Sequence, residues 1–344
     1  MNNEYIQPSK IMVCLAALAC VMTAFAKPAV EPPKPTGAKS PQVVAPEHAT
    51  RTWPVRPLAD SGQKSDNTTV FGEDTDYVRN AQSYTDNKNG TVTDNVTGLM
   101  WTQVDAGEKT WEAYVAYCDQ LSFAGYSDWR LPDAEEAYTI IDISSSPFNP
   151  IFTANREAKY FWTMNRQADG DDKRWEVNAG GGTGAHLKNQ TISAGGDKSF
   201  HGRCVREPVP AKRVKEHFTD NKDGTVTDNG NGLVWMQTEP GEMTWENAIK
   251  YCESLVLAGK DDWRLPDIKE LKSISDYTLY SPSVDGSYFP GMKSTYHWSS
   301  SATRQQKPRW YLNFISGITA YTEKLDEPLD VKCVRAGTLV QVKG

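Results

Sequence analysis

Four cysteines, two carboxylate pairs and two aspartate-rich turns are the residues of this chain whose types and spacing could do chemistry. Cys118, Cys204, Cys252 and Cys333 remain once Cys14 and Cys20 near the N-terminus are set aside. They lack the close Cys or His partners of a zinc site, so disulfides are their simpler use. Asp133 with Glu136, and Asp267 with Glu270, stand three residues apart. That spacing suits the acid and base of a hydrolase, and equally the reciprocal cap of a helix start. Asp86, Asp94, Asp220, Asp223 and Asp228, with Asn87, Asn89 and Asn221, place side-chain oxygens at the close intervals of a calcium loop. The bidentate Glu and full length of an EF-hand loop are missing, and a β-hairpin turning at Asn89-Gly90 and Asp223-Gly224 explains the same residues.

Other chemistries leave no mark. The chain has no Gly-x-Ser-x-Gly, no His-Glu-x-x-His and no Gly-rich loop ending in Lys-Ser or Lys-Thr. Gly180 to Gly184 lacks that lysine and reads as a mobile surface loop between strands. The five histidines have no metal spacing; His201, close to Cys204, and His297, beside Trp298, are the two worth following. A glycosidase pair of carboxylates is set by distance in space, so sequence leaves it open.

Every one of these carboxylate and cysteine features occurs twice because the chain repeats itself. Tyr84 to Asp142 aligns without a gap to Phe218 to Asp276, an offset of about 134 residues, and Asp128-Trp129-Arg130-Leu131-Pro132-Asp133 returns unchanged as Asp262 to Asp267. A period this long marks a duplicated domain rather than a solenoid unit. In each copy the pattern predicts a hairpin, then a helix capped by Thr110 or Thr244. Its apolar stripe is Trp111, Val115, Cys118 and Leu121, or Trp245, Ile249, Cys252 and Leu255. The hexapeptide follows and opens a second helix running to Asp142 or Asp276, with Arg130 or Arg264 free to hold a neighbouring carbonyl or carboxylate. Divergent polar loops come next, then aromatic strands ending in Cys-Val-Arg. Each copy owns one early and one late cysteine, so of three allowed pairings the repeat favours Cys118 with Cys204 and Cys252 with Cys333. This is an α+β layout with the last strand of an antiparallel sheet tied to the first helix.

The N-terminus belongs to export. Residues 1–26 carry Lys10, an apolar run from Ile11 to Phe25 and an Ala-Phe-Ala end, the pattern of a cleaved signal peptide, with lipidation at Cys20 the lesser alternative. Residues 27–54 are rich in Pro, Ala, Lys and Val and read as an extended spacer. The mature chain offers no membrane span, and the formal charge of -7 argues against a general nucleic-acid binder.

With these motifs in view, both copies resemble the C-terminal domain family of the Legionella collagen-like protein. The resemblance rests on Asp-Asn-Lys-x-Gly-Thr-Val-Thr-Asp-Asn, Thr-Trp-Glu, Tyr-Cys, Asp-Trp-Arg-Leu-Pro and the closing Cys-Val-Arg, twice and in order. It places the domains at 55–207 and 217–344 with a linker at 208–216. It implies two tandem C-type-lectin-like domains, each with two helices packed on antiparallel sheet and one disulfide, in an adhesin-like protein of the bacterial envelope without catalytic activity. The expected partner is an extracellular glycan or an envelope protein, and no cofactor is expected apart from calcium at the aspartate turns. The Glu-Pro-Asn and Trp-Asn-Asp motifs of calcium-dependent sugar-binding lectins are not present. The expected ligand-binding residues therefore lie in the divergent loops: Arg166, Asp169, Asp171 and Asp172 in the first copy, Arg304 and Arg309 in the second, with Trp175 and Trp310 as stacking floors. The rival readings are an envelope enzyme, glycoside-cleaving or similar to the formylglycine-generating enzymes, and a structural component of a surface assembly.

Overall fold

The computed structural model describes residues 51–143, 149–152, 160–169, 172–178, 180–193, 196 and 199–337. The signal, Cys20 and nearly all of the spacer lie outside them, as does Asp171. In the first copy the hairpin strands Tyr84–Asp86 and Thr91–Asp94 continue antiparallel into Met100–Thr102 and then the C-terminal Val205–Arg206. The turn is wider than a two-residue one. It spans Asn87 to Gly90, is closed by Asn87 N donating to Thr91 O at 3.1 Å, and holds Lys88 as well as Gly90 at positive φ.

Two helices follow, α1 (Trp111–Asp119) and α2 (Ala134–Thr139), with α3 (Trp245–Ser254) and α4 (Ile268–Ser273) in the second copy. The Thr110 hydroxyl caps α1, whereas Thr244 stands at the cap position of α3 without such a bond. Both capping boxes are formed, Asp133 with Glu136 and Asp267 with Glu270. The second helices stop short of Asp142 and Asp276. The hydroxyls of Thr139 and Ser273 turn back onto the carbonyls of Glu136 and Glu270 and compete with further helical bonding.

The aromatic strands form a second sheet in each copy, not an extension of a single one. Its order is Thr183–Leu187, Lys173–Asn178, Tyr160–Arg166, Phe200–His201 in the first copy. The second has Ile318–Thr322, Arg309–Asn313, Tyr296–Ala302, Leu329–Asp330, Glu242–Met243. One pairing in each is parallel, Phe161 with His201 and His297 with Asp330. The disulfides are Cys118–Cys204 and Cys252–Cys333, as the repeat favours, each joining the first helix to the residue before the closing strand. Structural disulfides belong to an oxidising compartment. No described helix is long and apolar enough to cross a membrane.

The two copies share a core. Ile268 and Trp310 of the second copy pack in the cluster formed by Val92, Trp101, Tyr138 and Ile141 of the first. Across the junction Thr183 N donates to Thr319 Oγ1 at 2.9 Å and Thr319 N to Thr183 Oγ1 at 3.1 Å. Thr183 and Thr319 occupy equivalent places in the repeat, opposite Val177 and Leu312, so the junction is isologous, as in a symmetric dimer fused into one chain. Of the stretch Gly180 to Gly184, expected as a surface loop, Gly181, Gly182 and Thr183 are buried. Gly181 lies at φ +92, and an added Cβ would come within 3.2 Å of the Trp310 ring.

A strap from the N-terminal side of the first copy lies over the second. Gln63 Oε1 accepts Ala302 N at 2.6 Å, Asp74 accepts the Ser301 hydroxyl, and Glu73 stands 3.6 Å from Arg309. Tyr77 donates to Glu253 at 2.9 Å while Arg264 sits over its ring. Gly72 lets the backbone close on α3, since a Cβ there would meet Ile249 at 2.6 Å. The segment expected as a linker is partly a strand, Arg213–Val214, paired with Trp53–Pro54. Residues 48–344 accordingly form one unit.

Candidate functional site

The hexapeptide arginines clamp the helix caps. Arg130 makes two bonds of 2.6 Å to Glu136, and Arg264 bonds of 2.5 and 2.6 Å to Glu270. Bidentate pairing of this kind is strong and directional. Burial, the largest influence, pushes each glutamate up, and the guanidinium beside it outweighs burial and holds it below its usual range. Asp133 is pushed up to about 8 by burial, then by the charge of Glu136. Glu136 and Glu270 are thus committed to a cap and an ion pair. Across each copy the first aspartate of the hexapeptide holds the arginine of Cys-Val-Arg, Asp128 with Arg206 at 2.7 Å and Asp262 with Arg335 at 2.6 Å.

Burial gathers Asp60 and Asp74 of the strap against Asp267, with one carboxylate oxygen from each within 4.8 Å of the others. Burial first, then the Asp60 charge, pushes Asp74 up to about 7, and burial likewise raises Asp267 well above the carboxylate range. Lys269 donates 2.8 Å bonds to the carbonyls of Asp60 and Thr139, and burial lowers it to about 8. The arrangement can share a proton or hold a cation, and Lys269 and Arg264 already supply positive charge beside it. Asp74 binds its proton more tightly folded than unfolded, so its contribution to stability is present below about pH 4 and lost as pH rises through about 7. Urea melts at several pH values should show Asp74→Asn removing a slope of up to about 1.4 kcal/mol per pH unit in that window.

An acid–imidazole contact recurs in both copies. His201 Nδ1 lies 2.6 Å from Asp105, with the Ser199 hydroxyl 3.0 Å from Nε2. In the second copy His297 Nε2 meets Glu239, and Asp330 converges on the same place, held by Lys293 and Thr295. The histidine has changed strands across the parallel pairing while Asp105 and Glu239 keep equivalent places. Arg203 and Lys332 bind carbonyls of the same loop, Gln103 O at 2.6 Å and Gln237 O at 2.8 Å. What the copies have in common therefore fastens the loop after the third strand to the sheet. The hydroxyl of Ser199 has no counterpart in the second copy.

The aspartate turns bind themselves. Asp86 and Asp220 accept from the backbone and ammonium of Lys88 and Lys222, Asp223 from Thr225, and Asp94 and Asp228 from the turns that follow them. Asp94 pairs across from Tyr84 and Asp86 across from Val92, so the two carboxylates serve turns at opposite ends of the hairpin.

The loop residues are divided. Arg166, Asp169, Asp172 and Arg304 are exposed, with Asp169 3.7 Å from Lys173 and Asp172 3.2 Å from Arg174. Arg309 is buried against Glu73 and over the Trp245 ring. Trp175 and Trp310, expected as stacking floors, are core residues at the junction: Trp175 against Tyr277 and the Lys272 ammonium, Trp310 against Gly181 and Tyr321. Alternation within a strand does not say whether its inner face meets its own domain or another one. Sequence reasoning missed the strap residues Asp60, Gln63, Glu73, Asp74 and Tyr77 as contacts. The available signal was Lys269 and Lys272, charges on the apolar side of a short helix that demand partners from elsewhere.

Among curated proteins no sequence matches the chain. The Lcl C-terminal domain matches residues 90–206 and again 224–335, about two-thirds of the chain. Each matched segment runs from the hairpin to the Cys-Val-Arg strand and contains one of the two disulfides. The chain belongs to the Lcl C-terminal domain family and carries that domain twice.

Proposed function

We propose that the chain is an exported, non-catalytic, adhesin-like binding protein, in which two C-type-lectin-like modules are joined into one body that recognises a glycan or another envelope component. One observation carries this reading. The framework of capping box, arginine clamp and disulfide is the same in both copies, while the exposed hairpin tips mounted on it differ. The first tip is acidic in its described residues Asp169 and Asp172; the second is basic, with Arg304 and Lys307. Variable loops on an invariant scaffold are the usual place for recognition. The capping-box glutamates are engaged in ion pairs and the aspartates in helix caps, which supports a binding role over glycoside cleavage.

Binding of the mature body to arrayed glycans and to immobilised envelope polymers tests the reading. Saturable binding is expected to persist in chelator, because the aspartate turns are satisfied by their own backbone. The double variant R304A/K307A should weaken it about tenfold while leaving the melting temperature unchanged, since both side chains are exposed rim charges. No binding to any of these ligands, with or without chelator, would overturn it.

A further inference from the structure

The strap covers a face of the second copy, and among the described residues its counterpart in the first copy has no such cover. The equivalence is exact in bonding. Trp111 and Trp245 donate to the carbonyls of Thr163 and Ser299, and Ala134 N and Ile268 N donate to the side chains of Asn165 and Ser301. Arg174 lies over the Trp111 ring at 4.4 Å and Arg309 over the Trp245 ring at 4.2 Å. Exposure separates them. The Arg264 side chain is 6% exposed beneath Tyr77, and its counterpart Arg130 is 42% exposed. Ser300 is 1% exposed and its counterpart Met164 is 42%. Trp245 and Ile249 are buried where Trp111 and Val115 are half-buried.

We propose that this face of the first copy, built from Trp111, Val115, Arg130, Asn165 and Arg174, docks an extended acidic segment of a different polypeptide in the way the second copy holds residues 63–77. Charge supports that occupant. Residues 60–77 carry five acids and one lysine, and the receiving face presents Arg130 and Arg174, with Lys188 adjoining, ion-paired to Glu112 at 2.9 Å and to Asp172 at 3.1 Å. Asp172, half-exposed and 3.2 Å from Arg174, stands in for the carboxylate that Glu73 offers Arg309 and is the group a docked acid displaces. Asn165 keeps an amide donor for the acid that Ser301 holds through its hydroxyl. The chain's own residues 27–50 do not fit, having three lysines and two glutamates. A second copy of the chain does not fit either, because lending its strap would bare one face for each that it filled.

The docking face shares Asp172 with the first hairpin tip, and a peptide probe separates it from glycan binding. Its test uses a fluorescent peptide with the sequence of residues 60–79 as the probe and the full mature chain as receptor, read by anisotropy at low salt. Saturable binding is expected, weakened about tenfold or more by R174A and by V115E, and likewise when the probe carries E73Q and D74N. V115E places a like charge on the face without touching an ion pair, so it stays informative if R174A proves unstable. The K324A variant, an exposed lysine of the second copy away from the strap, should leave binding unchanged. Absence of binding, or binding unchanged by both R174A and V115E, would overturn the proposal, the latter because the probe would then be held on some other surface.

Discussion

Trp310→Ala is expected to lower the unfolding free energy by about 3–5 kcal/mol, the cost of emptying a large aromatic site in a packed core. Trp310 is 1% exposed and packs in the cluster of the first copy, so the cavity opens at the junction between the copies and not at a ligand-facing surface. Gly181 backs the ring at near contact, and Tyr138 and Ile143 of the first copy share its cluster, which leaves little freedom to collapse into the void. Trp175→Ala should cost a similar amount through Tyr277 and Lys272. Urea unfolding followed by circular dichroism reads both. A ligand-stacking floor would behave in the opposite way: binding would be lost and the unfolding midpoint would hardly move. That result would place the two rings at a surface and break the shared core.

Replacing either disulfide, as in C252A/C333A, is expected to remove about 4.5 kcal/mol by the chain-entropy relation. The bridges span 86 and 81 residues, long loops that the unfolded chain must otherwise close. The sulfurs are also buried, Cys118 and Cys252 completely, so reduction loosens α1 or α3 from the closing strand as well as freeing the denatured chain. Because Ile268 and Trp310 belong to the core of the other copy, either double variant should melt in one transition at lower temperature. Calorimetry with separate transitions, one unmoved and one lowered, would mean that the copies unfold independently.

Local order was legible because it depends on neighbours in sequence. Asp three residues before Glu specifies the helix starts at Asp133 and Asp267 whatever packs on them. Asp-Asn-Lys-x-Gly specifies a hairpin, although the extra turn residue at positive φ, Lys88, carries no sequence mark of its own. The aspartates were ambiguous between turn and calcium because both uses need clustered oxygens; the backbone amides they cap are visible only in three dimensions. Arg309 looked like a loop residue because it ends a polar hairpin, and it is buried because Glu73, more than two hundred residues away, comes to meet it.

By itself the sequence determined a duplicated α+β domain, its helix starts and its hairpins, and it favoured one choice of cysteine partners. Periodicity, capping chemistry and repetition are local or internal properties, and they need no knowledge of which surfaces meet. Only the tertiary structure decided that the two copies share one core around Trp310, and that the first copy's leading segment seals the second. Those outcomes follow from burial between elements distant in sequence, where an apolar stripe states that it must be covered and does not state by what.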